Sequence, residues 1–142
     1  MSGRAVLLSV APEFAEKIAA GTKTVELRRR FPNVPAGTWI YLYVTLPVGA
    51  VTGRARVAAI DADEPSALWR RHRSAAGLSQ ARFTAYFAGS PRGFAVHLSH
   101  YEPLRAVDLA TLRRALPGFV APQSFRFVDD EAQRSLHSPS NG

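Results

Sequence analysis

From residue 5 to residue 98 the chain keeps returning to the two-residue period of a half-buried strand, yet two of the four links between predicted strands hold no helix. Residues 5–10 are a short apolar run. In residues 24–28, Val25 and Leu27 alternate with Thr24, Glu26 and Arg28. Residues 39–45 place Ile40, Leu42 and Val44 on one side and Trp39, Tyr41 and Tyr43 on the other. In residues 51–60 the small or apolar Val51, Gly53, Ala55, Val57 and Ala59 oppose Thr52, Arg54 and Arg56, and Phe94, Val96 and Leu98 alternate again. Helix signals stand between some of these runs. Pro12 with Glu13 and Glu16 opens a helix that Gly21 ends, and Pro65 opens one carrying Leu68, Trp69 and His72. Ser79 precedes one with Phe83, Tyr86 and Phe87, and Asp108 caps a short one with Leu109, Leu112 and Leu116. The predicted order is strand, helix, three strands, two helices, strand, helix. A doubly wound sheet needs a helix between most strands, so this order predicts an α+β domain on a small, twisted, partly closed barrel of five or six strands flanked by helices.

The 142 residues suit one domain, expected over residues 1–128, followed by a tail at 129–142 that is a short helix and then disordered. The chain has no cysteine, which excludes disulfides, thiol nucleophiles and Cys-based zinc sites. His72, His97, His100 and His137 have no metal-binding spacing, so neither metal nor cofactor is expected. No apolar run reaches the roughly 20 residues of a membrane span and no signal-peptide layout opens the chain, so no membrane association and a cytoplasmic location are expected. The net charge of +7 fits a polyanionic partner. All cationic side chains except Lys17 and Lys23 are arginine, which makes Lys23, at the start of residues 24–28, stand out.

The stretch Gly21-Thr22-Lys23-Thr24-Val25-Glu26-Leu27-Arg28 carries the pattern G-x-K-x-x-E-x-R, and Pro122-Gln123-Ser124-Phe125-Arg126-Phe127 supplies a second motif. With Leu7-Leu8-Ser9-Val10, the Arg28-Arg29-Arg30 run, Tyr43 before Pro47, and Ala67-Leu68-Trp69, these segments resemble the ASCH domain family of the PUA-like superfamily over about residues 5–128. The resemblance implies a flanked β-barrel with a cleft into which the signature strand presents polar residues. It also implies RNA-associated work. Relatives bind RNA or hold a modified base, and some ASCH proteins are described as nucleases or as N4-acetylcytidine amidohydrolases. The amidohydrolase branch uses a Thr where this chain has Glu26 and an acid in the link between the two central helices, where this chain has Ala75-Ala76-Gly77.

The residues of the two motifs form the candidate site. Lys23 suits a phosphate or a carboxylate, or proton transfer if desolvated. Glu26 and Arg28, two apart on a strand, share a face about 7 Å apart, and a carboxylate within a basic patch suits the amino edge of a base. Arg29, Arg30, Arg54, Arg56 and Arg126 extend the positive field, while Gln123 and Ser124 offer amide and hydroxyl groups. Trp39 and Tyr41 read as core; by resemblance Tyr43 is the stacking aromatic, and Thr45 stands where relatives often have Ser. The leading expectation is a nucleic-acid-binding module that takes RNA or single-stranded DNA in a basic cleft, reading a flipped or modified base. The alternatives are a hydrolase on RNA or a modified nucleoside, with Lys23 and Glu26 as its acid/base pair, and a small-molecule sensor or partner-binding domain.

Overall fold

A computed structural model describes residues 3–121 and 124–137. The elements run β1 (Ala5–Val10), α1 (Pro12–Ala20), β2 (Val25–Arg28), β3 (Trp39–Val44), β4 (Ala50–Asp63), α2 (Pro65–Ala76), α3 (Gln80–Phe87), β5 (Gly93–Asp108), α4 (Leu109–Ala115), β6 (Arg126–Val128) and α5 (Asp130–His137). The six strands make one sheet in the order β2-β5-β4-β3-β1-β6. All neighbours are antiparallel except β1 and β3, which run parallel with Val6 opposite Ile40 and Val10 opposite Val44. The fold is the mixed α+β arrangement that the element order predicts. The sheet is not closed, because β2 and β6 are its two edges and do not pair.

Alternation along the strands sorts the core into layers. Val6, Leu8, Val10, Ile40, Leu42, Val44, Val57 and Val96 pack together with Ile18 of α1 and Phe31. On the other side of β1 and β3, Ala5, Leu7, Tyr41 and Tyr43 meet Leu112, Leu116 and Phe119, and Ala132 and Leu136 of α5. A third cluster seats α2 and α3 on β2 and β5 through Val25, Leu27, Leu68, Phe83, Phe87 and Ala95. Each fully buried Leu, Ile or Val contributes about 1.5–3 kcal/mol of hydrophobic stabilisation.

Two strands are longer than the sequence pattern predicts. β4 runs to Asp63 and β5 to Asp108, and their ladder shifts register three times, between Val51 and Gly53, Arg54 and Arg56, and Val57 and Ala59. Each shift flips the side-chain alternation, so the two-residue period breaks although pairing continues. Pro103 lies opposite Gly53, and a Cβ on Gly53 would collide with the Tyr101 hydroxyl and ring, so only glycine lets that ring cross the strand. Among the described residues, no helix is long and apolar enough to cross a membrane.

Candidate functional site in the open seam of the sheet

The gap left between β2 and the strands β1 and β6 is spanned by a side chain. Arg28 Nη1 donates to the Ser9 carbonyl of β1 at 3.2 Å and Nη2 to the Ser124 carbonyl just before β6 at 2.6 Å. Its Nη1 also donates to Glu26 Oε2 at 3.1 Å. The other carboxylate oxygen of Glu26 lies 3.4 Å from Lys23 Nζ, which in turn donates to the Ala76 carbonyl at the end of α2. Lys23, Glu26 and Arg28 are 3%, 7% and 9% exposed, and they are the buried charged residues of the described chain. One anion thus sits between two cations, and Lys23 Nζ and both Arg28 Nη atoms also donate to backbone carbonyls, which offsets the cost of burying the charge.

Helix α2 fixes the lysine end of this group. Its last carbonyls carry the negative end of the helix dipole, and both lysines of the chain use them: Lys23 at Ala76, and Lys17 at the Gly77 carbonyl at 2.8 Å. Burial pulls the Lys23 ammonium below its ordinary proton affinity, and the neighbouring Glu26 carboxylate opposes that shift. The turn after α2 is tight against the lysine stem. Gly77 has φ +67°, and a Cβ there would stand 3.0 Å from Lys23 Cβ. A Gly77→Ala substitution is therefore expected to cost about 1–2 kcal/mol in a denaturant melt, since it adds left-handed strain and displaces Lys23.

The three charged side chains line a pocket of about 220 Å³ together with Ser9, Val10, Phe14, Leu78, Arg82 and Tyr86. The Phe14 ring carries Lys23 Nζ 5.1 Å and the Arg82 guanidinium 4.8 Å from its centre. Ser9 Oγ and Arg28 Nε are hidden from water and have no hydrogen-bond partner among the described residues. Such groups call for an external partner. Arg28 and Tyr86 also belong to a wider basin of about 700 Å³ lined by Arg29, Arg30, Ser90, Arg92 and Ser124. Tyr86 joins the two, accepting the Arg29 N–H at 2.9 Å with its hydroxyl while the Arg29 guanidinium lies 4.6 Å over its ring. The result is a small, largely apolar recess with three charged side chains in its wall, adjoining an arginine-lined trough.

The structure thus brings Lys23, Glu26, Arg28, Arg29, Arg30 and Ser124 to one place. Other candidates lie elsewhere. Tyr43 is beside Ser9 in register, but its ring packs on Phe119 and it is buried under α4. Thr45 follows β3, donating its N–H to the Val10 carbonyl at 3.0 Å. Arg126 reaches back over Phe119, and Arg54 and Arg56 lie over Trp39. Gln123 is outside the described residues. Ser9, Phe14, Arg82, Tyr86 and Arg92 are not among the sequence candidates, and the fold brings them to the site. His72 is paired with Asp61 at 2.6 Å and stacked edge-on to His97, and no group of three or more His, Asp or Glu among the described residues could hold a metal.

An unclosed, curved sheet with helices against it and polar groups gathered in its gap defines a PUA-like α+β domain. Residues 8–105 match the family profile described as the ASCH domain. An ASCH domain-containing ribonuclease of Zymomonas mobilis is 36% identical over 132 residues, which span 93% of this chain and 89% of that protein. The crystal structure of ASCH from Zymomonas mobilis has a TM-score of 0.89 to this chain at 35% identity, covering 94% of each. The N-terminal domain of McrB from Staphylothermus marinus shares the fold at 12% identity, with a TM-score of 0.61 over 96% of this chain and 93% of that one. This chain belongs to the ASCH domain family.

Proposed function

We propose that this chain binds single-stranded RNA in the seam, with one base in the recess of Lys23, Glu26 and Arg28 and the flanking phosphates in the trough of Arg29, Arg30 and Arg92. The observation that carries the reading is the junction of a one-base-sized recess, holding two unpartnered polar groups, with a trough lined by four arginines and no carboxylate. Glu26 accepts from a base amino edge, and the arginines neutralise backbone. The Zymomonas relative named a ribonuclease favours RNA over single-stranded DNA. Anisotropy with labelled RNA and DNA oligonucleotides of equal length tests it. RNA affinity is expected to fall steeply with salt, and an affinity that stays flat from low to high salt overturns the reading. Arg92→Gln, an exposed change in the trough, is expected to lower the logarithmic salt slope by about 0.7, the value of one phosphate contact on a single strand.

The same relative's name favours a second reading, in which the bound strand is also cut. Cleavage by a neighbouring 2′-hydroxyl needs one group to take that hydroxyl's proton and another to protonate the departing 5′-oxygen. Glu26 and Lys23 are the acid/base pair of the recess, and Glu26 must release one of its two cations to accept a proton. Gel analysis of end-labelled RNA decides between the readings. Binding without products leaves the binding function alone, whereas products that persist unchanged in Lys23→Ala remove this pair from the chemistry.

A further inference from the structure

Trp39 starts β3 next to the start of β1, four residues along the strand from Tyr43, the partner of Ser9, so about 13 Å separates it from the seam. Its ring is half-buried and carries two guanidinium groups, Arg54 at 3.6 Å and Arg56 at 4.0 Å from the ring centre. Both are held from outside the ring. Arg54 donates to Glu102 at 2.5 Å and to the Tyr41 hydroxyl at 3.2 Å, and Arg56 donates to the Gly37 carbonyl at 2.8 Å. The stack is therefore ordered before any ligand arrives, which lowers the cost of binding. Beside it runs a groove of about 660 Å³ lined by Arg4, Asn33, Trp39, Arg56 and Gln133, among others, with no carboxylate in the lining. Gln133 donates its amide N–H groups to the Gly3 carbonyl at 3.0 Å and the Val128 carbonyl at 3.1 Å, which leaves its oxygen as an acceptor. None of these residues lines the recess or the trough.

We infer that this groove is a second contact site for single-stranded nucleic acid, with phosphates on Arg4 and Arg56 and a base against the arginine–tryptophan stack. The inference rests on the reading of the seam as an RNA site and lengthens its footprint along β1. Two cations without a compensating acid suit any polyanion. The flat guanidinium surface laid on the indole, together with amide groups from Asn33 and Gln133, favours nucleotides over an acidic polypeptide, because every base offers a stacking face.

The test compares a labelled RNA of about 4 nucleotides, enough for the seam, with one of about 16. In an Arg4→Gln/Arg56→Gln variant, the longer RNA is expected to bind about tenfold more weakly with a salt slope lower by about 1.4, two single-strand contacts, while the shorter RNA binds as before. Ultraviolet cross-linking of the unsubstituted protein to a 4-thiouridine version of the longer RNA is expected to label the segment containing Trp39, a readout that does not depend on how the variant folds. Unchanged affinity for the longer RNA, an equal loss for both lengths, or no cross-link near Trp39 overturns the inference. So does a polyglutamate peptide that blocks the cross-link as well as unlabelled RNA of equal charge. Failure of the seam reading looks different: the shorter RNA does not bind, while the longer one still responds to Arg4 and Arg56.

Discussion

Glu26→Gln is expected to unfold about 10 °C below the unsubstituted protein. Glu26 is the one anion between Lys23 and Arg28, and all three groups are buried. Removing one partner of a buried ion pair costs about 3–5 kcal/mol, because the charge left behind keeps its desolvation cost and loses its attraction. At the lower end of that range, and with a change of about 3–4 °C per kcal/mol for a chain of this size, the shift follows. Its pH dependence identifies the stranded charge. Burial already lowers the proton affinity of Lys23 below the ordinary 10.5, and Glu26 is the first of the groups that raise it. Without that carboxylate the folded state binds the Lys23 proton more weakly still. Between the lowered folded-state pKa and 10.5 the unfolded chain binds more protons than the folded one, so stability from this group rises with pH through that window. The deficit of Glu26→Gln is therefore expected to be largest at neutral pH and to shrink toward pH 10.5 in denaturant titrations. A deficit that grows with pH would place the exposed charge elsewhere.

Arg28 is the residue whose loss is expected to weaken RNA binding most, by about 100-fold in Arg28→Ala and about tenfold in Arg28→Lys. Its guanidinium serves the Ser9 and Ser124 carbonyls and Glu26 at once, and it lines both the recess and the trough. Hydrogen bonds to a charged group contribute about 1.5–3 kcal/mol each, and a lysine keeps the charge without the planar fork that reaches several acceptors. Binding measured alongside a thermal melt separates the two roles of this residue. If Arg28→Lys matches the unsubstituted protein in RNA affinity while melting lower, Arg28 holds the fold and does not touch the ligand.

The contiguous parts of this protein were legible in its sequence. The stretch from Gly21 to Arg28 puts Glu26 and Arg28 on one strand face, and the helix signals at Pro12, Pro65, Ser79 and Asp108 mark helices that are present. What closes the site was not legible. Lys23 meets a carbonyl 53 residues away and Arg28 one 96 residues away, and no local period encodes such partners. The second half of β5 was hidden for a different reason, since three register shifts and Pro103 erase alternation where pairing persists. Aromatic alternation in β3 showed that Trp39, Tyr41 and Tyr43 share a face, but which of them α4 and α5 would cover depends on elements some 65 or more residues later. Trp39 stays half-open while the two tyrosines are buried, so the accessible aromatic of this face lies at the opposite end of the strand from Tyr43.

The unpaired edges of the sheet also decide how a long polymer reaches the recess. In a barrel closed by a backbone ladder, a strand bound inside must be threaded from a terminus or admitted by breaking wall hydrogen bonds. Here the wall stops at β2 and resumes at β1 and β6, and the Arg28 side chain hydrogen-bonds across between them. On the proposed RNA reading, a strand is laid in from the side at an internal nucleotide, and linear and circular RNAs of the same sequence are expected to bind alike.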